Sequence, residues 1–154
     1  SITLNDFSIE PSVQYYAYFG QEDAPNTAMV VALCSIPVLD AVSVFYDAEY
    51  DILAYNGALY NEFGIDANYG NERVTVENVL GIGAANTVFN KAYLDVSRNA
   101  ISFVHWDCAI TLSVGNNVSL RPHIEINKII DTSLRTAVVN ADNVTLGIVL
   151  TYEL

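Results

Sequence analysis

The residues best suited to chemistry lie close together in one part of the chain. His105 and Asp107 stand two apart in VHWDC, and Arg121, His123 and Glu125 alternate through VSLRPHIEIN, residues 118–127. Alternate residues of a strand share one face. If the two segments form a hairpin turning at Gly115-Asn116-Asn117, these five groups share a small patch. Histidine titrates near neutral pH, so the patch could be a proton-handling site, or a salt-bridged polar plug with no chemistry of its own. The chain carries no nucleophile elbow, no HExxH and no phosphate loop, which argues against an enzyme, and no catalytic residue is assigned.

A second candidate is the acidic ladder Asp47, Glu49 and Asp51. Rings of carboxylates select cations in narrow pores. Carboxylates two apart on a strand are about 7 Å from each other, too far to grip one ion without other ligands. A general preference for cations fits better than a metal site, and a solvated face is the plain alternative. Glu10, Gln14, Glu62 and Asp66 fall on polar faces of the same kind. Gly81-Ile82-Gly83 has no helix after it and reads as a bend or a close approach. Asn117-Val-Ser119 and Asn143-Val-Thr145 match the glycosylation triplet, which arises easily by chance.

The elements that would carry these groups follow a period of two. Val42, Val44, Tyr46, Ala48, Tyr50 and Ile52 alternate with Ser43, Asp47, Glu49 and Asp51. Phe63, Ile65, Ala67 and Tyr69 alternate with Glu62, Gly64, Asp66 and Asn68. No helical spacing persists over a comparable length, so the pattern predicts an all-β chain. It predicts eight strands, at 6–19, 27–39, 41–54, 58–69, 73–85, 101–115, 117–130 and 143–154. Tight turns at one end alternate with longer loops at the other, including 86–100 and 131–142. The YNG connection is the exception, hardly longer than the tight turns. Strands of roughly 12–14 residues exceed the usual five or six and suit a tilted membrane crossing. Aromatics gather near strand ends, at Tyr15, Tyr16, Tyr18, Phe19, Tyr55, Tyr60, Tyr69, Phe103 and Tyr152.

Composition narrows the setting. The chain has 154 residues, 52% hydrophobic and 16% charged, so it is one folded domain rather than a disordered polymer. Six basic residues against eighteen acidic ones give a formal net charge of −12. Such a chain repels nucleic acid and is not held on anionic lipid by basic residues. Cys34 and Cys108 lack metal-ligand spacing, so neither a metal nor another cofactor is expected. Both have apolar neighbours, which fits a buried or lipid-facing thiol, and the sequence leaves their pairing open. The longest apolar run, residues 28–39, is too short for a spanning helix and contains Pro37. No signal-peptide pattern begins the chain.

If the apolar faces look outward, they meet lipid and the polar faces line an interior. Glycines and small residues on the polar faces (Gly64, Gly81, Gly83, Gly147, Ser113) and the near absence of lysine favour that arrangement. The same faces are short of bulky residues to plug a small barrel.

The segments ALYNEFGIDANYGNERVTVENVLGIGAANTVFNKAYLD, ISFVHWDCAITLSVGNNVSLRPHIEINKIID and NVTLGIVLTYEL resemble the repeated hairpins of Gram-negative outer-membrane β-barrels, notably small porin families. FSIEPSVQYYAYFG and VSVFYDAEYDI resemble earlier hairpins of the same families. The resemblance implies an antiparallel up-and-down transmembrane β-barrel of about eight strands in the bacterial outer membrane. Its partners would be membrane lipid and a second copy in a homo-oligomer. Its role would be porin-like passage of small solutes or cations, or a structural and surface role. The lumen-facing set would be Glu10, Gln14, Asp47, Glu49, Asp51, Glu62, Asp66, His105, Asp107, Arg121, His123 and Glu125. The chain ends in Leu154, where such barrels usually carry an aromatic, and those families have further strands before the counterpart of Ser1. On that comparison the chain would be a single barrel domain, either trimmed of the N-terminal strands of a larger barrel or a diverged member of the family. A soluble, secreted β-barrel or β-sandwich is the alternative, as a ligand carrier or a self-assembling surface-filament subunit.

Overall fold

In a computed structural model the chain forms one antiparallel sheet. The structure describes residues 2–4, 7–17, 25–115 and 117–152. Among these residues nine strands follow one another in both sequence and space. They are β1 (Ile2–Leu4), β2 (Phe7–Tyr16), β3 (Thr27–Leu39), β4 (Val42–Asp51), β5 (Leu59–Gly70), β6 (Val74–Ala85), β7 (Ala100–Gly115), β8 (Val118–Ile129) and β9 (Asp142–Tyr152). The up-and-down order expected from the period-two pattern is present. β3 runs over 27–39 as predicted, the ends predicted at 85 and 115 also hold, and the remaining described ends move by one to three residues. The ends of the first and last predicted strands, together with Asn116, lie outside the described residues.

Three elements depart from the expectation. β1 is an additional short strand, paired with the start of β2 through Ile2↔Ile9 and Leu4↔Phe7. The segments read as the loops 86–100 and 131–142 each hold a helix, α1 (Thr87–Leu94) and α2 (Thr132–Ala137). Helices this short cannot show a sustained 3.6-residue period, but each begins at a capping residue. Asn86 accepts a hydrogen bond from the Phe89 amide, and Asp131 accepts from Ser133 and Leu134. The YNG connection is also longer than it reads, because β4 stops at Asp51 and leaves 52–58 as a loop.

The sheet is not closed into a barrel. Among the described residues β9 pairs only with β8, and no pairing joins β9 to β1 or β2. β1 lies along the β2 edge at residues 7–9, where a closing strand would begin. Among the described residues, 10–16 of β2 pair only with β3. Alternation of side chains fixes which face each residue takes but says nothing about how the two edge strands end.

The two faces are inverted relative to a soluble sheet. Phe63 is 55% exposed, Leu80 52% and Leu146 76%, whereas the intervening carboxylate of Glu62 is 11% exposed. Among the described residues the fully or nearly buried apolar ones are few, including Val31, Ala109 and Leu134. The polar face is the concave one, since residues from β3 to β7 converge on one hollow of about 410 Å³. Cys34 and Cys108 are free thiols on β3 and β7. Among the described residues no helix is long and apolar enough to cross a membrane.

Candidate functional site: the polar concave face

Register places most of the predicted polar residues in adjoining rows. Asp47 pairs with Glu62, and Glu49 with Tyr60. Ser43 pairs with Asp66, which pairs with Val79, then Asp107, then Glu125. The hairpin β7–β8 brings Asp107 opposite Glu125 and Ala109 opposite His123, as the spacing predicts. Glu10 and Gln14 stand apart near the free edge of β2, around a separate hollow of about 490 Å³ that also reaches Asp47.

The partners within the face differ from sequence expectation. His105 does not bond to Asp107 beside it. Its Nδ1 lies 3.0 Å from Glu62 Oε1 on β5, two strands away. Gly81 on β6 pairs with His105 and lies between the two strands, and a Cβ there would overlap both the Glu62 carboxylate and the His105 ring. Arg121 on β8 likewise reaches across β7 to Glu77 on β6, at 2.7 Å. Glu77 is paired with the buried Ala109, whose small side chain leaves the route open. Both ion pairs therefore bridge over an intervening strand where the sequence has a small residue.

Three further glycines have the same use. Phe45 lies over Gly64, Tyr60 over Gly83, and His123 over Gly147, each so close that a Cβ would strike the ring. The face is thus better filled than its composition implies. Phe45, Tyr60 and Phe103 all line its hollows, although Tyr60 and Phe103 read as strand-end aromatics. Tyr60 donates to Glu62 Oε2 at 2.8 Å, and Asn127 donates to Glu125 Oε1 at 2.5 Å. Asp47 Oδ1 and His123 Nδ1 are buried without a hydrogen-bond partner among the described residues.

Asp51 has a different job from the rest of its ladder. It is fully buried at the end of β4, where it accepts from the Thr27 hydroxyl and from the amides of Leu53 (2.9 Å) and Tyr55 (3.1 Å). Its carboxylate is consumed in holding loop 52–58, which is the local hydrogen bonding that favours Asp at a turn.

The helical end of the sheet is similarly tied down. Asn86 Nδ2 donates to the Gly57 carbonyl at 2.7 Å, and the buried Asn90 donates to the Arg98 carbonyl at 2.8 Å. Arg98 reaches Ser133 at 2.7 Å and Asp131 at 3.3 Å, joining the two helical segments. Arg135 forms a two-pronged pair with Asp142 at 2.8 and 2.9 Å. Lys91 bonds to Asp95 at the end of α1 and holds that exposed carboxyl below its ordinary range. These bonds set α1 so that Phe89 stacks on Tyr60, with ring centroids 5.4 Å apart, at one end of the polar face.

Chemically, the face can attract and line up cations. It presents carboxylates on β4, β5, β6, β7 and β8, while Arg121 is committed to Glu77. Among the described residues no group of three His, Cys, Asp or Glu side chains is arranged to hold a metal ion. Comparison with family models, with curated proteins and with solved structures finds no match to this chain.

Proposed function

We propose that this chain is an integral outer-membrane β-barrel protein with a narrow, acidic, cation-preferring interior. One observation carries the reading. Apolar side chains are exposed across the outer face, from Val30 through Phe63, Leu80 and Ile110 to Ile148, while the carboxylates of the opposite face are partly buried. In water such a face would be far larger than the apolar patches that soluble monomers tolerate. In a bilayer it would be solvated by acyl chains.

The dimensions agree. Leu59 to Tyr69 on β5 spans about 33 Å at roughly 3.3 Å per residue. Tilted by about 45°, that length covers about 23 Å, close to the height of the apolar band of such barrels. Lipid cannot satisfy free backbone groups, so the reading requires the outer edge of β9 to meet the β2 edge at residues 10–16. The two strands run in opposite directions, and β2 to β9 make eight, so an antiparallel seam is available.

Eight strands enclose a lumen that side chains largely fill. Phe45, Tyr60, Phe103 and the two bridging ion pairs support a constricted interior. Passage would be limited to small cations, and the loops with α1 and α2 would serve as the exposed surface. A second reading rests on the outer edge of β9 and the β2 edge at 10–16, which have no partner among the described residues. A secreted subunit whose β9 pairs with β2 of the next copy would also satisfy them, as edge strands commonly do.

Carbonate extraction tests the choice. The chain is expressed with a signal peptide, and membranes are isolated and washed. The membrane reading expects retention, with faster migration on an unboiled detergent gel. Release as a folded soluble protein or filament contradicts it.

A further inference from the structure

The helical end of the polar face holds a hollow of about 500 Å³, within the size range of small-molecule sites. We infer that it binds a small organic cation, an ammonium or quaternary ammonium group carried on an apolar body. The inference rests on the geometry of the hollow and does not depend on whether the sheet crosses a membrane.

Two kinds of wall meet there. One is aromatic, formed by Tyr60, Phe103 and the α1 residue Phe89. Tyr60 stacks on Phe89 at 5.4 Å and meets Phe103 edge-on at 6.0 Å. The other is acidic, formed by Glu49, Glu62 and Glu125. Glu62 is engaged by His105 and Tyr60, and Glu125 by Asn127. Glu49 has no hydrogen-bond or ion-pair partner among the described residues, so its charge is available to a ligand. Among the described residues no lysine or arginine lines the hollow, and its one basic group, His105, is held by Glu62.

These walls select by chemistry. An anion is rejected by three carboxylates. A bare metal ion finds no preset group of three ligands among the described residues. An organic ammonium is attracted by the carboxylates and by the faces of the rings, whose quadrupoles favour a cation. The remainder of such a ligand gains from leaving water against Phe89 and Phe103.

The test titrates tetramethylammonium chloride into the full chain folded in detergent, reading binding by saturation transfer to the probe's methyl protons. Sodium chloride at equal ionic strength is the reference. Saturable binding is expected, weakened about tenfold in Glu49→Gln by loss of a charge partner and about threefold in Phe89→Leu by loss of a ring face. Glu72→Gln, in the exposed turn between β5 and β6, is expected to bind like the parent chain. Circular dichroism of each variant checks that it is folded. Binding that never saturates, that sodium displaces at equal concentration, or that both folded variants retain unchanged overturns the inference. A chain released by carbonate that still binds the probe would contradict the membrane reading and leave this site intact.

Discussion

His105 and Glu62 meet at 3.0 Å across a strand to which neither belongs. The contact exists because β6 has Gly81 between them. The same device brings Arg121 to Glu77 over Ala109 and lays Phe45, Tyr60 and His123 over three other glycines. Small residues on the concave face therefore make the room into which charged and aromatic groups fold. The first consequence concerns Gly81 itself. Gly81→Ala puts a methyl group against the Glu62 carboxylate and the His105 ring, and overpacking of this kind costs about 1–3 kcal/mol. A lowered urea midpoint of the folded protein checks it, and Val139→Ala, at a fully exposed position, serves as the control.

Asp51 is expected to matter for stability more than for any passage of ions. Asp51→Ala leaves the Thr27 hydroxyl and two loop amides without their acceptor, at a cost of about 2–3 kcal/mol. Limited proteolysis should then cut within 52–58 faster than it does in the parent chain. Asp51→Asn keeps an acceptor oxygen and should lose less.

The apolar face gives a contrast between environments. Leu80 lies midway along the outer face, paired with Ile65 and Trp106. In a bilayer Leu80→Arg costs about 2–4 kcal/mol, as charges at the midplane of a barrel do. At an exposed position in water the same change is usually within about 0.5 kcal/mol. Folding yield into lipid vesicles and into detergent-free buffer separates the two.

At the end of α1 the Lys91–Asp95 pair predicts a pH effect of fixed sign. Bonding to Lys91 lowers the Asp95 pKa from its ordinary 3.8. The pair's contribution is therefore complete above the ordinary value and is lost as pH falls through the lowered one. Lys91→Ala should move the Asp95 titration, followed by NMR, back up toward 3.8. An unchanged titration contradicts the pairing.

Much of this architecture is legible in the alternation of side chains. A run such as GALYNEFGIDANYG can bury one face only as a strand, so its element type, its face and its neighbours in a meander follow directly. The hairpin that juxtaposes Asp107 with Glu125 follows from turn spacing. The His105–Glu62 contact does not, because it depends on sheet curvature and on a gap in the strand between them. The short helices are visible only through their caps, Asn86 and Asp131, which also occur in plain loops. The state of the edges is invisible, since β1 against β2 is a choice between two partners for the same backbone groups.

Trp106 offers the most direct test of the lipid-facing assignment. It is the only tryptophan in the chain, and it is exposed on the outer face, paired with Leu80 and Ile126. The protein would be folded into vesicles whose acyl chains carry bromine at defined depths, with its fluorescence recorded against aqueous iodide. Strong quenching by bromine within the hydrocarbon, with little by iodide, is the predicted result. Quenching by iodide alone would mean that this face meets water or another protein surface, and would contradict the account.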